Sequence, residues 1–213
     1  MKTKDKILRQ ALLQFNTEGV ERVTTSSLAK NLGISLGNLH YHFPNRDSII
    51  RQLVDQFLND EEMRSQKLLQ VKTENFMTHA FTVQFLTFKN MWEYRFIFTD
   101  RLVIKRRMDY LEVRFRKMVD QRKSEFDQTM SALQASNIIL PNISQKTFDA
   151  YFTQIVIGNN SWISYSDLFD YGSAPYLHFA ECAIWSWKPY LTCSDEELEA
   201  TIKIALENLD TYL

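Results

Sequence analysis

The stretch from Thr24 to Asp47, Thr-Thr-Ser-Ser-Leu-Ala-Lys-Asn-Leu-Gly-Ile-Ser-Leu-Gly-Asn-Leu-His-Tyr-His-Phe-Pro-Asn-Arg-Asp, holds the densest set of side chains able to recognise another molecule. On a helix advancing about 100° per residue, Leu36, Leu39 and Phe43 fall along one edge, which is expected to dock inward. Gly37, Asn38, Tyr41 and His42 occupy the opposite arc. That arc offers an amide to read a base edge, a flat aromatic to meet a thymine methyl, and an imidazole donor. Gly37 keeps the surface low, so backbone can approach a partner. His40 lies on the border, within reach of a phosphate, and Ser35 caps the same helix. Thr25 and Ser26, at the start of the preceding helix, present hydroxyls and free amides of the kind that hold phosphate, and Arg46 can do the same beside the next helix. Lys4 and Lys6 add a flexible basic approach. His40 and His42 do not suggest a metal, because an i, i+2 pair on a helix points about 200° apart.

These groups need elements to aim them. A stripe of Ile7, Leu8, Ala11, Leu12 and Phe15 predicts a first helix over about Lys4–Glu18, stopped by Gly19. Thr24 caps a short second helix whose Leu28, Ala29 and Leu32 face inward. Gly33 ends it, and Ser35 opens a third helix through about His42. Pro44 forbids continuation, and Asn45 or Asp47 opens a long fourth helix. Two short capped helices joined by the tight Leu32-Gly33-Ile34 turn form a helix-turn-helix, which lays its second helix in the major groove of DNA. Beyond lie segments at about Glu74–Met91 with Thr73 as cap, Tyr94–Arg106, Asp109–Ser136, a helix capped by Ser144 and running to Phe169, Tyr176–Tyr190, and Asp195–Tyr212 opened by a Ser194/Glu197 capping box. The expectation is an all-α chain of about ten helices. Residues 1–50 form a three-helix DNA-binding domain, helix four (about 47–70) connects, and 51–213 form a helical ligand-binding and dimerisation domain.

The run Leu28-Ala…Leu32-Gly-Ile-Ser-x-Gly-Asn-Leu-x-Tyr-His-Phe-x-Asn-Arg-Asp resembles the signature of the tetracycline-repressor (TetR) family over roughly residues 4–58. His40 departs from it, since a Tyr is more usual there. The resemblance implies that Asn38, His40, Tyr41 and His42 face a double-stranded operator, with Thr25, Ser26 and Arg46 on phosphates. It also implies a homodimer built on two late helices, here about 146–169 and 176–190 with 195–212 as the rival, and a body that binds a small-molecule effector.

Composition fits this reading and excludes others. Residues 1–52 hold eight Lys/Arg against four Asp/Glu, whereas the whole chain carries a net −1, so a mildly basic head precedes an acidic body. Cys182 and Cys193 make no metal or disulfide framework, Met1-Lys-Thr-Lys-Asp-Lys leads into no apolar signal core, and no long apolar run can span a membrane. A cytoplasmic location is expected. No G-x-S-x-G, H-E-x-x-H, Walker or dinucleotide pattern occurs, so no catalytic constellation, metal or cofactor is expected. In the body, the aromatic run Phe76, Phe81, Phe85, Phe88, Trp92, Tyr94, Phe96 and Phe98 reads as core or as the lining of a largely apolar effector pocket. Phe85, Phe88, Trp92, Phe96, Asn159, Trp162 and Tyr165 are the candidate lining residues. The rival to a ligand-responsive repressor is a DNA-bound adaptor whose body binds a protein; an enzyme is a distant third.

Overall fold

The computed structural model of the chain describes residues 2–70, 76–166, 168 and 170–209, with the side chains of Asp109 and Tyr110 outside that description. The described residues form helices α1 (Thr3–Glu18), α2 (Thr25–Leu32), α3 (Leu36–His42), α4 (Arg46–Leu69), α5 (Phe76–Glu93), α6 (Phe96–Thr99), α7 (Arg101–Arg107), α8 (Asp109–Ala135), α9 (Gln145–Ser166), α10 (Pro175–Trp185) and α11 (Asp195–Glu207). Among them there is no strand, only an isolated bridge between Ile139 and Leu191. The fold is all-α, with an N-terminal helix-turn-helix followed by a helical body.

Backbone contacts divide the chain into two compact units, Met1–Glu62 with Glu93–Glu112, and Met63–Trp92 with Val113–Leu213. In the first, α1 buries Ile7, Leu8, Ala11 and Phe15, against Val20 and Val23 of the following loop, Leu28, Ala29, Leu39 and Phe43 of the helix-turn-helix, and Ile49, Ile50, Leu53, Val54 and Phe57 of α4. Local chemistry sets the helix ends. The Thr24 side chain accepts from the Ser27 amide at 3.0 Å, and the Ser27 hydroxyl accepts from the Thr24 amide at 3.0 Å, a reciprocal capping box. Gly33 closes α2 at φ 65°, where a Cβ would be strained. Ser35 accepts from the Asn38 amide at 3.1 Å, and Asn45, not Asp47, opens α4 by accepting from the Ser48 amide at 2.9 Å.

The span predicted as one helix over Tyr94–Arg106 is two, because the chain bends at Asp100 (φ −103°, ψ 20°), and this raises the helix count. The first part belongs to the head unit. Phe96 is fully buried with its ring 5.4 Å from Phe15, and Tyr94 and Phe98 lie 6.0 and 5.6 Å from Phe57. The aromatic run therefore does not form one stripe: α5 ends at Glu93, and the residues after it serve a different core.

In the second unit, Phe81, Phe85, Leu86 and Phe88 of α5 are buried, as are Phe148, Tyr151, Trp162 and Ile163 of α9, Ala180 and Ile184 of α10, and Leu198, Ile202 and Ala205 of α11. The Ser194/Glu197 capping box forms, with reciprocal bonds of 3.2 and 2.8 Å. The helix predicted over Tyr176–Tyr190 stops at Trp185 and finishes as a 3-10 turn over Lys188–Tyr190. Pro189 is the physical reason: it has no amide to donate, and in a continued helix its ring would meet the Trp185 carbonyl. Thr73, the predicted cap of α5, lies outside the described residues, as do Asp167, Phe169 and the end of the chain beyond 209. No helix among the described residues is long and apolar enough to cross a membrane.

Candidate nucleic-acid interface

The surface is built on α3, a helix of under two turns that Ser35 starts and Leu39 and Phe43 anchor. Leu39 is fully buried and Phe43 nearly so, whereas Leu36 is 40 % exposed, so the expected three-residue docking edge is carried by two. Leu36 sits on the first turn, where the chain is only just arriving from the Gly33 turn. Ser35, Gly37, Asn38, His40 and Tyr41 are exposed, and His42 is half-buried. Tyr41 is 84 % exposed, and its ring meets that of His42 edge-on at 5.1 Å. The capped helix thus presents an aromatic ring to solvent.

The flanking residues are tied in ways that local sequence did not reveal. His40 Nε2 lies 3.3 Å from Thr25 Oγ1, so the imidazole in the unusual position links α3 to the first turn of α2. Ser26 stays exposed beside them. The Arg46 Nη1 group donates to the carbonyls of Val20, Glu21 and Val23 at 2.9, 3.1 and 3.0 Å. One guanidinium nitrogen thus gathers the α1–α2 loop into a fixed turn. Lys4 is not on a flexible arm: it stands inside α1, 5.6 Å from the centre of the Phe43 ring and 3.5 Å from Gln52 Oε1. Lys105 and Arg107, from a basic triplet that also includes Arg106, engage Glu112 at 3.0 Å and Asp47 at 3.8 Å, as surface pairs do.

Two residues of the head escaped sequence reading altogether. Asp100 Oδ2 accepts from the Val20 amide at 2.7 Å, on the same loop that Arg46 holds. Asn16 donates to the Glu93 carbonyl at 2.7 Å and accepts from the Phe96 amide at 3.0 Å. Partners 77 to 80 residues apart leave no local signal.

In the second unit the structure brings together part of the predicted lining. Phe88 stacks on Trp162 at 5.2 Å, Trp92 lies 6.0 Å from Trp162, and Phe179 completes the group at 5.1 Å. Tyr171, stacked on His178 at 4.5 Å, meets Phe179 at 5.0 Å. Trp162 is 5 % exposed, and its indole N–H finds no acceptor among the described residues. Phe85 is buried on α5, Asn159 is half-buried and Tyr165 is 57 % exposed on α9, and Phe96 does not join them because it fills the head core. Among the described residues no three His, Cys, Asp or Glu side chains are grouped to hold a metal ion.

The sequence matches the description "bacterial regulatory proteins, tetR family" over residues 7–53 and the description "bacterial transcriptional repressor" of TetR over residues 60–194. It is 32 % identical over 56 residues to the biofilm operon icaADBC HTH-type negative transcriptional regulator IcaR of Staphylococcus epidermidis, covering 26 % of this chain and 30 % of that protein. To the nucleoid occlusion factor SlmA of Yersinia enterocolitica it is 37 % identical over 70 residues, covering 32 % and 35 %. The likeness thus spans about a third of the length of each of these relatives. A solved TetR-family transcriptional regulator from Marinobacter aquaeolei VT8 superposes with a TM-score of 0.74 at 24 % identity, over 97 % of this chain and 98 % of that one, which speaks for a shared fold. With one match spanning well over half of its residues and a second covering the helix-turn-helix, the chain belongs to the TetR family of bacterial transcriptional repressors.

Proposed function

We propose that this chain is a cytoplasmic, ligand-responsive repressor that reads a near-palindromic DNA operator as a homodimer. The observation that carries the proposal is Tyr41, 84 % exposed on a helix otherwise well anchored. Gly37, Asn38 and His42 share its face toward base edges; Ser35, His40, Thr25 and Ser26 line the flanks toward phosphates, and Arg46 serves from behind by fixing the loop and from its edge as a phosphate donor. Two such helices in a dimer enter major-groove faces about 34–36 Å apart.

The dimer surface is assigned to α9 and α10. Ile157 on α9 and Leu168 just beyond its end are each more than half exposed, and Gly158 next to Ile157 is exposed too, so apolar surface with a low point is offered to a partner helix. The effector is assigned to Phe85, Phe88, Trp92, Trp162, Asn159 and Tyr165 in the second unit. Phe88 and the tryptophans favour a flat, largely apolar molecule, and the indole N–H of Trp162, without an acceptor among the described residues, favours one that carries a hydrogen-bond acceptor. An effector lowers operator affinity only by its preference for the unbound shape of the protein.

Fluorescence anisotropy with tiled fragments of the DNA upstream of the chain's own gene, across a salt series, tests the reading. The expected result is tight binding to one fragment, falling steeply with salt. Tyr41→Ala is expected to weaken that complex by about tenfold or more while leaving non-specific binding intact. Weak binding, equal on every fragment and indifferent to Tyr41, would sink the operator reading.

A further inference from the structure

We infer that Asn16 and Asp100 are positioning residues for DNA reading, through which the segment Glu93–Glu112 becomes a working part of the head. This rests on the DNA-reading role proposed above. The helix-turn-helix match ends at residue 53, yet the compact head includes Glu93–Glu112. The loop between α1 and α2 sets where α2 begins, and α2 carries α3 through the Gly33 turn. That loop is gripped from two sides. Arg46 takes three of its carbonyls, and Asp100 takes the Val20 amide with a charge-assisted bond of 2.7 Å.

The fit at Asp100 is close. Gly19 has φ 81°, a backbone conformation that favours glycine, and a Cβ built there would stand 3.4 Å from Asp100 Oδ2, in contact with the carboxylate. Asn16 performs the complementary task one turn earlier on α1. Its amide bridges the Glu93 carbonyl and the Phe96 amide, the two backbone groups that flank the entry to α6, while Phe96 packs on Phe15. Neither side chain lies on the α3 surface. Both act by narrowing the positions the loop can take, and apparent affinity falls in proportion to the fraction of molecules holding the reading-competent arrangement.

The full-length chain is compared with Asp100→Asn, Asp100→Leu and Asn16→Ala on two readouts. The first is binding to the operator fragment found above, over a salt series. The second is amide hydrogen exchange of peptides covering residues 16–32, which needs no DNA. Asp100→Leu and Asn16→Ala are expected to weaken the operator complex about tenfold with an unchanged salt slope, since no phosphate contact is removed. Exchange at Val20 and through α2 is expected to quicken while α4 stays protected. Asp100→Asn keeps an acceptor for Val20 and is expected to hold affinity within about threefold. Asn16→Ala and Asp100→Asn keep the test decisive if Asp100→Leu does not fold. Wild-type affinity and exchange in Asn16→Ala, an Asp100→Asn as weak as Asp100→Leu, or a salt slope reduced by about one phosphate would overturn the inference. A wild-type chain without operator preference would defeat the repressor reading and the DNA-reading role inferred here together, whereas unchanged exchange and affinity in the variants beside an intact operator preference would overturn this inference alone.

Discussion

Arg46→Ala would strip a charged donor from three carbonyls of one loop at once. The expected loss is about 2 kcal/mol, read as a lower thermal midpoint, because charge-assisted bonds are the strong ones and an abandoned carbonyl costs more than a bond gained. Arg46→Lys is expected to recover only part of it, since a strongly hydrated ammonium lacks the flat guanidinium fork that spans these carbonyls. The sequence reads Arg46 as a phosphate partner because its motif neighbours are all that local pattern can see. The carbonyls it reaches lie 23 to 26 residues away. Tyr41 and Asn38 were legible for the opposite reason: exposure on a short helix follows directly from the wheel once Leu39 and Phe43 are known to point inward.

Helix boundaries were readable wherever a side chain bonds its own backbone. Thr24, Ser35, Ser144 and Ser194 all cap as their types predict, with the reciprocal Glu197 bond in the last case. Thr24→Ala is expected to cost about 1 kcal/mol in an unfolding titration, because the Ser27 amide at the start of α2 loses its acceptor. Breaks without such signatures were not foreseen. The bend at Asp100 has a helix-compatible sequence on both sides and comes from tertiary demands on that carboxylate. Between α8 and α9, Lys123 lies 2.6 Å from Asp127 and 2.8 Å from Asp149. The Asp127 bond above all holds the Lys123 ammonium above its ordinary range, and the Lys123 bond, with help from Gln145, holds the Asp149 carboxyl below its own. A carboxylate with a depressed folded value stabilises above the unfolded one and loses that contribution as pH falls through the folded value. Lys123→Met is therefore expected to lower the thermal midpoint modestly at neutral pH, with the gap to the parent closing below about pH 4. A gap that stays constant down to strong acid would show that Lys123 acts through packing alone.

At the scale of the molecule, composition and the basic start of the chain pointed to a DNA-facing head and a larger body, but local pattern placed the division by sequence position. The structure draws the head from two stretches, Met1–Glu62 and Glu93–Glu112. That arrangement is invisible to periodicity, because Tyr94, Phe96 and Phe98 continue the aromatic composition of α5 while turning to serve Phe15 and Phe57. A fragment ending at Glu62 retains every helix-turn-helix residue yet loses Phe96 and Ile97, both within 2 % of full burial. It is expected to bind the hydrophobic dye ANS and to melt without a cooperative transition, whereas the intact chain melts sharply and stays dark. The same discontinuity bears on inheritance. If regulators of this kind diversify by trading heads between bodies, a single crossover after the helix-turn-helix would deliver an α1 whose Asn16 and Phe15 face a stranger's α6. Successful hybrids of this chain should then carry two exchanged stretches, or one exchanged stretch and compensating changes between residues 93 and 112.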